Sequence, residues 1–253
     1  MDWSRAKSVL IVSFFLLNIL LGFQLWAGKM GIDTFSEAGE RREEMNRLLA
    51  SKQIAIEAEV PEATPKLNEI TVRLKDGVPS PQKQPLDYPF ELRLLSSAAD
   101  IRGLLVKEVP EIGEYEPDPH AANGAKAVYI MNQLHNGLPM FEVRVELYAE
   151  KDTVKSYRKL YAEVQNAGTG SGEGQQVLSA YIVLSSLAEN YLPVGAKIRD
   201  VRLGYHGPIF ESETQVLAPY WRVALAGGDV YYVHAINGAV EGPISLGDTK
   251  DKK

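Results

Sequence analysis

Histidine, cysteine and serine are the side chains most often recruited for metal binding and nucleophilic chemistry, and their arrangement here supports neither. His120, His135, His206 and His234 are the only histidines. None is placed four residues from another on one helix face, and none sits in an HExxH pattern that would hold a zinc ion. Cysteine is absent, which removes thiolate nucleophiles, zinc-thiolate sites, disulfides and a lipoprotein acyl anchor. Ser171 lies in the glycine-rich stretch Asn166 to Gly174, not in the strand-turn-helix elbow that a serine nucleophile needs. That stretch also lacks the Lys-Ser/Thr spacing of a phosphate loop and reads as a flexible loop. The 33 Asp and Glu residues are spread over loops and polar strand faces, and no pair stands out as acid and base. The expectation is a protein with no catalytic residues, no cofactor and no metal.

Two groups of side chains remain as contact candidates. Asn18 and Gly22 are four apart in an apolar segment, where a polar and a small residue on one helix face favour packing against another helix in lipid. In Ala218 to Leu225, alternation sends Trp221, Val223 and Leu225 to one strand face and Tyr220, Arg222 and Ala224 to the other. The first set reads as core. Tyr220 and Arg222, with Tyr232 on the following strand, form a candidate extracytoplasmic interface, Tyr and Arg being enriched at binding hot spots. A plain solvated sheet face is the competing reading.

The elements that position these residues begin with a membrane segment. Val9 to Trp26 carries no formal charge and as a helix would span about 27 Å, close to the ~30 Å of a hydrocarbon core. Arg5 and Lys7 precede it and Trp3 and Trp26 flank it, which places residues 1–8 in the cytoplasm and everything after Lys29 outside the cell membrane. Thr34-x-x-Glu37 has capping-box spacing and opens a polar juxtamembrane helix running to Lys52. Six prolines between Pro61 and Pro89 then predict an extended connector with at most one short strand near Glu69 to Leu74, and a folded body from about Tyr88.

Within the body, Leu94, Ala98, Ile101 and Leu105 recur at helical spacing. Ala127 to Leu134 and Leu138 to Tyr148 flank Asn136-Gly137, a tight-hairpin signal, and Phe141, Val143, Val145 and Leu147 alternate with polar residues. Val154 to Val164 fits either state and leans to strand. A second helix is expected over Gln176 to Tyr191, with Tyr181, Leu184, Leu187 and Tyr191 on one face. Strands follow at Lys197 to Tyr205, Pro219 to Ala226 and Val230 to Ile236, with a disordered tail from Asp248. Pro139-x-Phe141-x-Val143-x-Val145 parallels Pro219-x-Trp221-x-Val223-x-Leu225, so the fold class is α+β with two tandem helix-plus-antiparallel-sheet modules over 88–165 and 175–242. A net charge of -6 without an Arg-rich run argues against a nucleic-acid partner.

The start MDWSRAKSVLIVSFFLLNILLGFQLW, with IRDVRLGY, APYWRVAL and YYVHAINGAV near the end, resembles the YycH/YycI family of regulatory proteins of low-GC Gram-positive bacteria. His234 departs slightly from the pattern. The resemblance implies a single-pass protein that acts with a YycH-type sibling on an essential membrane-bound sensor histidine kinase controlling cell-wall metabolism. It also implies extracytoplasmic modules of PepSY-like type and no catalytic residues. The alternative expectation is a membrane-tethered module that binds wall polymer or a peptide.

Overall fold

The computed structural model describes residues 7, 10–21, 35–75, 82–91, 97–121, 127–166, 174–210 and 212–244. Gly22, Thr34, Leu94, most of the glycine-rich loop and the tail from Asp248 lie outside the described residues. The chain divides into two units, residues 1–47 and 48–253.

In the first unit, residues 10–21 are helical and their large apolar side chains, from Leu10 to Leu21, are exposed. Among the described residues no helix is long and apolar enough to cross a membrane. Helix α1 (Phe35–Ser51) matches the expected polar helix and runs into the second unit. Its residue Leu49 is buried, as the apolar strip predicts.

The second unit is α+β, its strands gathered around one large mixed sheet. In chain order the strands are β1 (Ala55–Ile56), β2 (Lys66–Leu67), β3 (Ile70–Leu74), β4 (Gln84–Glu91), β5 (Tyr115–Pro117), β6 (Tyr129–His135) and β7 (Leu138–Glu150). They continue as β8 (Thr153–Lys159), β9 (Ala162–Asn166), β10 (Gln175–Gln176), β11 (Lys197–His206), β12 (Thr214–Leu225), β13 (Val230–His234) and β14 (Val240–Ile244). Helices α2 (Ala98–Leu105) and α3 (Ala180–Asn190) complete it. The main path runs β14-β13-β12-β11-β7-β6-β5.

Each helix precedes an antiparallel meander. After α2, β7 lies between β6 and β8; after α3, β12 lies between β11 and β13. Pro139 and Pro219, the parallel positions of the two sequence motifs, both fall in these central strands. The β6–β7 hairpin turns at Asn136 (φ 50°) and Gly137 (φ 78°), the paired positive angles that an Asn-Gly turn supplies. Residues 153–166 are two strands, not a helix.

Helix α2 starts where Ser97 Oγ accepts the Asp100 amide (3.2 Å) and Asp100 accepts the Ser97 amide (2.9 Å), a reciprocal capping box that satisfies two orphan donors. Its Ile101 and Leu105 are buried with Met131, Val145 and Leu147 of the first meander. Helix α3 begins at Ala180, later than Gln176, because Ser179 caps it and Gln175–Gln176 pair with Lys66–Leu67. Its buried face is Ala180, Val183, Leu184, Leu187 and Ala188. Tyr181 is half-buried and Tyr191 exposed, so the apolar stripe is rotated from the expected one towards the small residues.

The largest departure concerns the proline-rich connector. Glu69 to Leu74 does contain a strand, but β3 is sandwiched between β9 and β12, with Ile70, Val72 and Leu74 buried beside Met140, Val143 and Leu217. β1 pairs in parallel with β11, and β4 pairs antiparallel with β8. Strand β4 accommodates Pro85 and Pro89 because its register on β8 shifts between Pro85 and Phe90, so no ladder donor is required of Pro89. Strand β12 also starts earlier than expected, because Thr214 to Leu217 pair with β3 before the strand passes on to β11 and β13.

Candidate functional site

Strand β12 is buried on both faces. Trp221 turns to one side, where its indole N–H donates to the Leu178 carbonyl at the entrance to α3 (2.9 Å). Tyr220, Arg222 and Ala224 turn to the other, which is not a solvated face: Arg222 is 0% exposed, and Tyr220 and Tyr232 are buried. The expected interface residues are thus brought together, but inside the fold.

Arg222 is the centre of a charge cluster assembled from four strands and the loop that follows β5. Its Nη2 donates to Asp118 Oδ1 (2.8 Å) and Asp200 Oδ2 (2.7 Å), and its Nη1 donates to Asp118 Oδ2. Asn132 Nδ2 also donates to Asp118 Oδ2. Arg202, opposite Arg222 in the β11–β12 register, stands 3.6 Å from Asp200 Oδ1 and 3.9 Å from Asp118 Oδ1. Phe141 of β7 stacks its ring 4.7 Å from the Arg222 guanidinium carbon, a favourable placement of a cation on a ring face. Gly204 makes room for this ring, since a Cβ there would sit 2.6 Å from it and 2.5 Å from the Pro139 carbonyl oxygen.

Burial by itself would push the Asp118 carboxyl up. The hydrogen bonds and charge of Arg222 outweigh it and hold that carboxyl below the ordinary range. Burial likewise disfavours charge on Arg222, yet Asp118 and Asp200 raise its pKa further above the ordinary arginine value. Two carboxylates and two guanidiniums balance in charge, which is how a strand interior accommodates them.

A second polar group adjoins it. His206 Nδ1 lies 2.5 Å from Glu142 Oε1 and Nε2 3.3 Å from Glu241 Oε2. Its ring stacks on Tyr232 at 3.8 Å and 2° and meets Tyr220 edge-on. Tyr220 donates to Glu241 Oε1 (2.6 Å). Desolvation lowers the His206 pKa, but Glu142 and then Glu241 raise it to a net position above the usual histidine value. Desolvation, followed by the bond to Glu241, drives the Tyr220 phenol upward. Glu146, expected on a wet strand face, is also buried, ringed by Arg158 (2.6 Å), Arg144 and Tyr148. Cross-strand pairing lets the polar positions of β7 face inward.

Among the described residues no cluster of three His, Asp or Glu could hold a metal ion. His135 faces Tyr205, and His234 accepts the backbone amide of Ile236 (3.2 Å) and meets Tyr220 edge-on, so the histidines are dispersed. In the first unit, Asn18 Nδ2 donates to the Phe14 carbonyl one turn back (2.7 Å), and Gly22 lies outside the described residues.

Sequence patterning singled out Arg222 but gave no sign of its partners. Asp118 follows a proline in a loop, Asn132 stands between Met131 and Gln133 on β6, and Asp200 lies between Arg199 and Arg202 on β11.

Residues 80–236 match the YycI protein family. The chain belongs to this family. The match covers α2 and both meanders, with every residue of the Arg222 cluster and all of the His206 group except Glu241. Membership in the YycI family associates the chain with regulation of a two-component system. No curated protein matches the sequence.

Proposed function

We propose that the chain is a membrane-anchored accessory regulator of an essential sensor histidine kinase that controls cell-wall metabolism, acting with a YycH-type sibling through protein contacts and without catalysis. The YycI-family match over residues 80–236 carries this reading.

The anchor is the uncharged run Val9 to Trp26, whose described helical part presents apolar side chains outward, as a lipid-facing helix does. N-terminal basic residues set the amino terminus in the cytoplasm and the sheet domain outside. The two helix-and-meander halves are tandem PepSY-like modules, and their shared sheet gives the regulator a rigid body. Asn18 and Gly22 are carried as the membrane contact positions. Such a contact biases the kinase only by as much as the anchor's affinity differs between the kinase's signalling states. A polymer-binding face built on Tyr220 and Tyr232 has less support, because both rings are buried.

The test is in vivo cross-linking of the tagged full-length chain, beside a version with residues 9 to 26 replaced by an unrelated anchor. Capture of a sensor kinase and a sibling regulator, with kinase capture weakened by the swap, is the expected result. Capture of wall material alone, with neither protein, would overturn the proposal.

A further inference from the structure

Strand β11 has one edge that is left open along its middle. On the side away from β12 it pairs with β1 at Lys197 and Ile198 and with β7 at Tyr205, and among the described residues no strand pairs there between. The cause is local. A register shift between Ile198 and Asp200 marks a bulge at Arg199, and bulges bend and twist a strand away from its neighbour.

The chain that leaves β1 runs past this edge as a strap, residues 57–65. It is fixed at its start, where the Glu57 amide donates to Ile198 O (2.8 Å), and at its end, where Pro65 O accepts the Val177 amide (3.1 Å). Between them Pro61 has no N–H to give to a ladder. The strap, the β6–β7 hairpin and the β11 edge line a half-open cleft of about 410 Å³, with Pro61 and Pro65 from the strap, Asn132, Leu134 and Leu138 from the hairpin and Arg202 from the edge, a volume in the range of ordinary ligand pockets. The Asn132 side chain is buried, and its Oδ1 has no hydrogen-bond partner, while its Nδ2 is committed to Asp118. A buried acceptor of this kind costs free energy until a donor reaches it.

Charge identifies what fits. The edge carries Lys197 and Arg199, and the strap opposite carries Glu57, Glu59 and Glu62, with Glu57 3.7 Å from Lys197 and 3.6 Å from Arg199, whereas Arg202 is already engaged by Asp200 and Asp118. We infer that the β11 edge and its cleft are a docking site for an acidic, extended segment of a partner protein, added as a strand, and that the strap is a built-in competitor for it. A proline-free segment would bind better than the strap, since every amide on its inner side can donate, one of them towards Asn132.

The test uses the full-length chain in detergent micelles and a fluorescein-labelled peptide, Thr-Glu-Val-Glu-Val-Thr-Val-Glu-Val, followed by fluorescence anisotropy. In the variant Glu57→Ala/Gln176→Ala both ends of the strap lose side-chain holds, because Gln176 Nε2 donates to the Thr64 carbonyl. The peptide is expected to bind this variant at least tenfold more tightly than the wild type. Adding Arg199→Glu, at an exposed position, or replacing the peptide's glutamates with lysine, is expected to weaken binding at least tenfold. Equal affinity for wild type and loosened strap, indifference to charge reversal, or no binding to the loosened variant would each overturn the inference. A far-ultraviolet circular dichroism spectrum unchanged from wild type certifies that the variants are folded.

Discussion

Replacing Arg222 with methionine keeps the bulk of the side chain but removes the cation that Asp118 and Asp200 share. Asp118 has 1% of its side chain exposed, so water cannot take over the guanidinium's role. Three charge-assisted hydrogen bonds disappear. At about 1.5–3 kcal/mol each their simple sum would exceed the usual result for such deletions. Arg202, already 3.6 to 3.9 Å from both carboxylates, can move in and recover part of the loss. Breaking a buried ion pair by removing one partner costs ~3–5 kcal/mol, and that is the loss expected here. Out of a total of ~5–15 kcal/mol it would leave the domain marginal. The assay is urea unfolding of the full-length chain in micelles, followed by near-ultraviolet circular dichroism, to which the neighbouring Trp221 contributes. The pH dependence gives an independent check. In the wild type the Asp118 carboxyl is depressed, so its contribution is present above its unfolded value and fades as pH falls through the folded one. In Arg222→Met the strongest opposition to burial is gone and only Arg202 and the His120 amide still oppose it, so that carboxyl rises and the variant regains stability as the carboxyl protonates. The gap between the two proteins must therefore narrow from pH 7 towards pH ~4.5. A loss below about 1 kcal/mol, or a gap that does not change with pH, would refute the account of the cluster.

Gly204→Ala places a methyl against Pro139 O and the Phe141 ring, and overpacking of this kind is expected to cost ~1–3 kcal/mol in the same unfolding assay; no measurable change would mean that β7 and β11 are not held this closely. His206→Gln should destabilise by ~1–3 kcal/mol at pH 5.5 through loss of charged hydrogen bonds to Glu142 and Glu241. Because the folded histidine pKa is raised, its contribution is full below the unfolded value near 6.5 and is lost as pH rises through the folded one. The difference from wild type must therefore shrink by pH 9, and a difference that grows with pH would contradict the arrangement.

The sequence by itself determined what depends on local periodicity. Alternation over Phe141 to Leu147 and Trp221 to Leu225 marks the two central strands, Asn136-Gly137 marks the hairpin that leads into the first of them, and the Ile101 and Leu105 spacing marks α2, because these signals come from side-chain direction and backbone angles within a few residues. Residues 1–26 together with 198–205, 218–225 and 231–240 point to the YycH/YycI family, and the match over residues 80–236 bears out the YycI family. Tertiary structure decided which polar residues face inward. Arg222 and Asp118 are 104 residues apart, and Glu142 and His206 64 apart; no period connects them, and a charge on an alternating strand reads as wet until its partner arrives from elsewhere. The same holds for Ile70 to Leu74. A short apolar run among prolines becomes core only because β9 and β12 leave a slot between them, and nothing within the run itself encodes that slot.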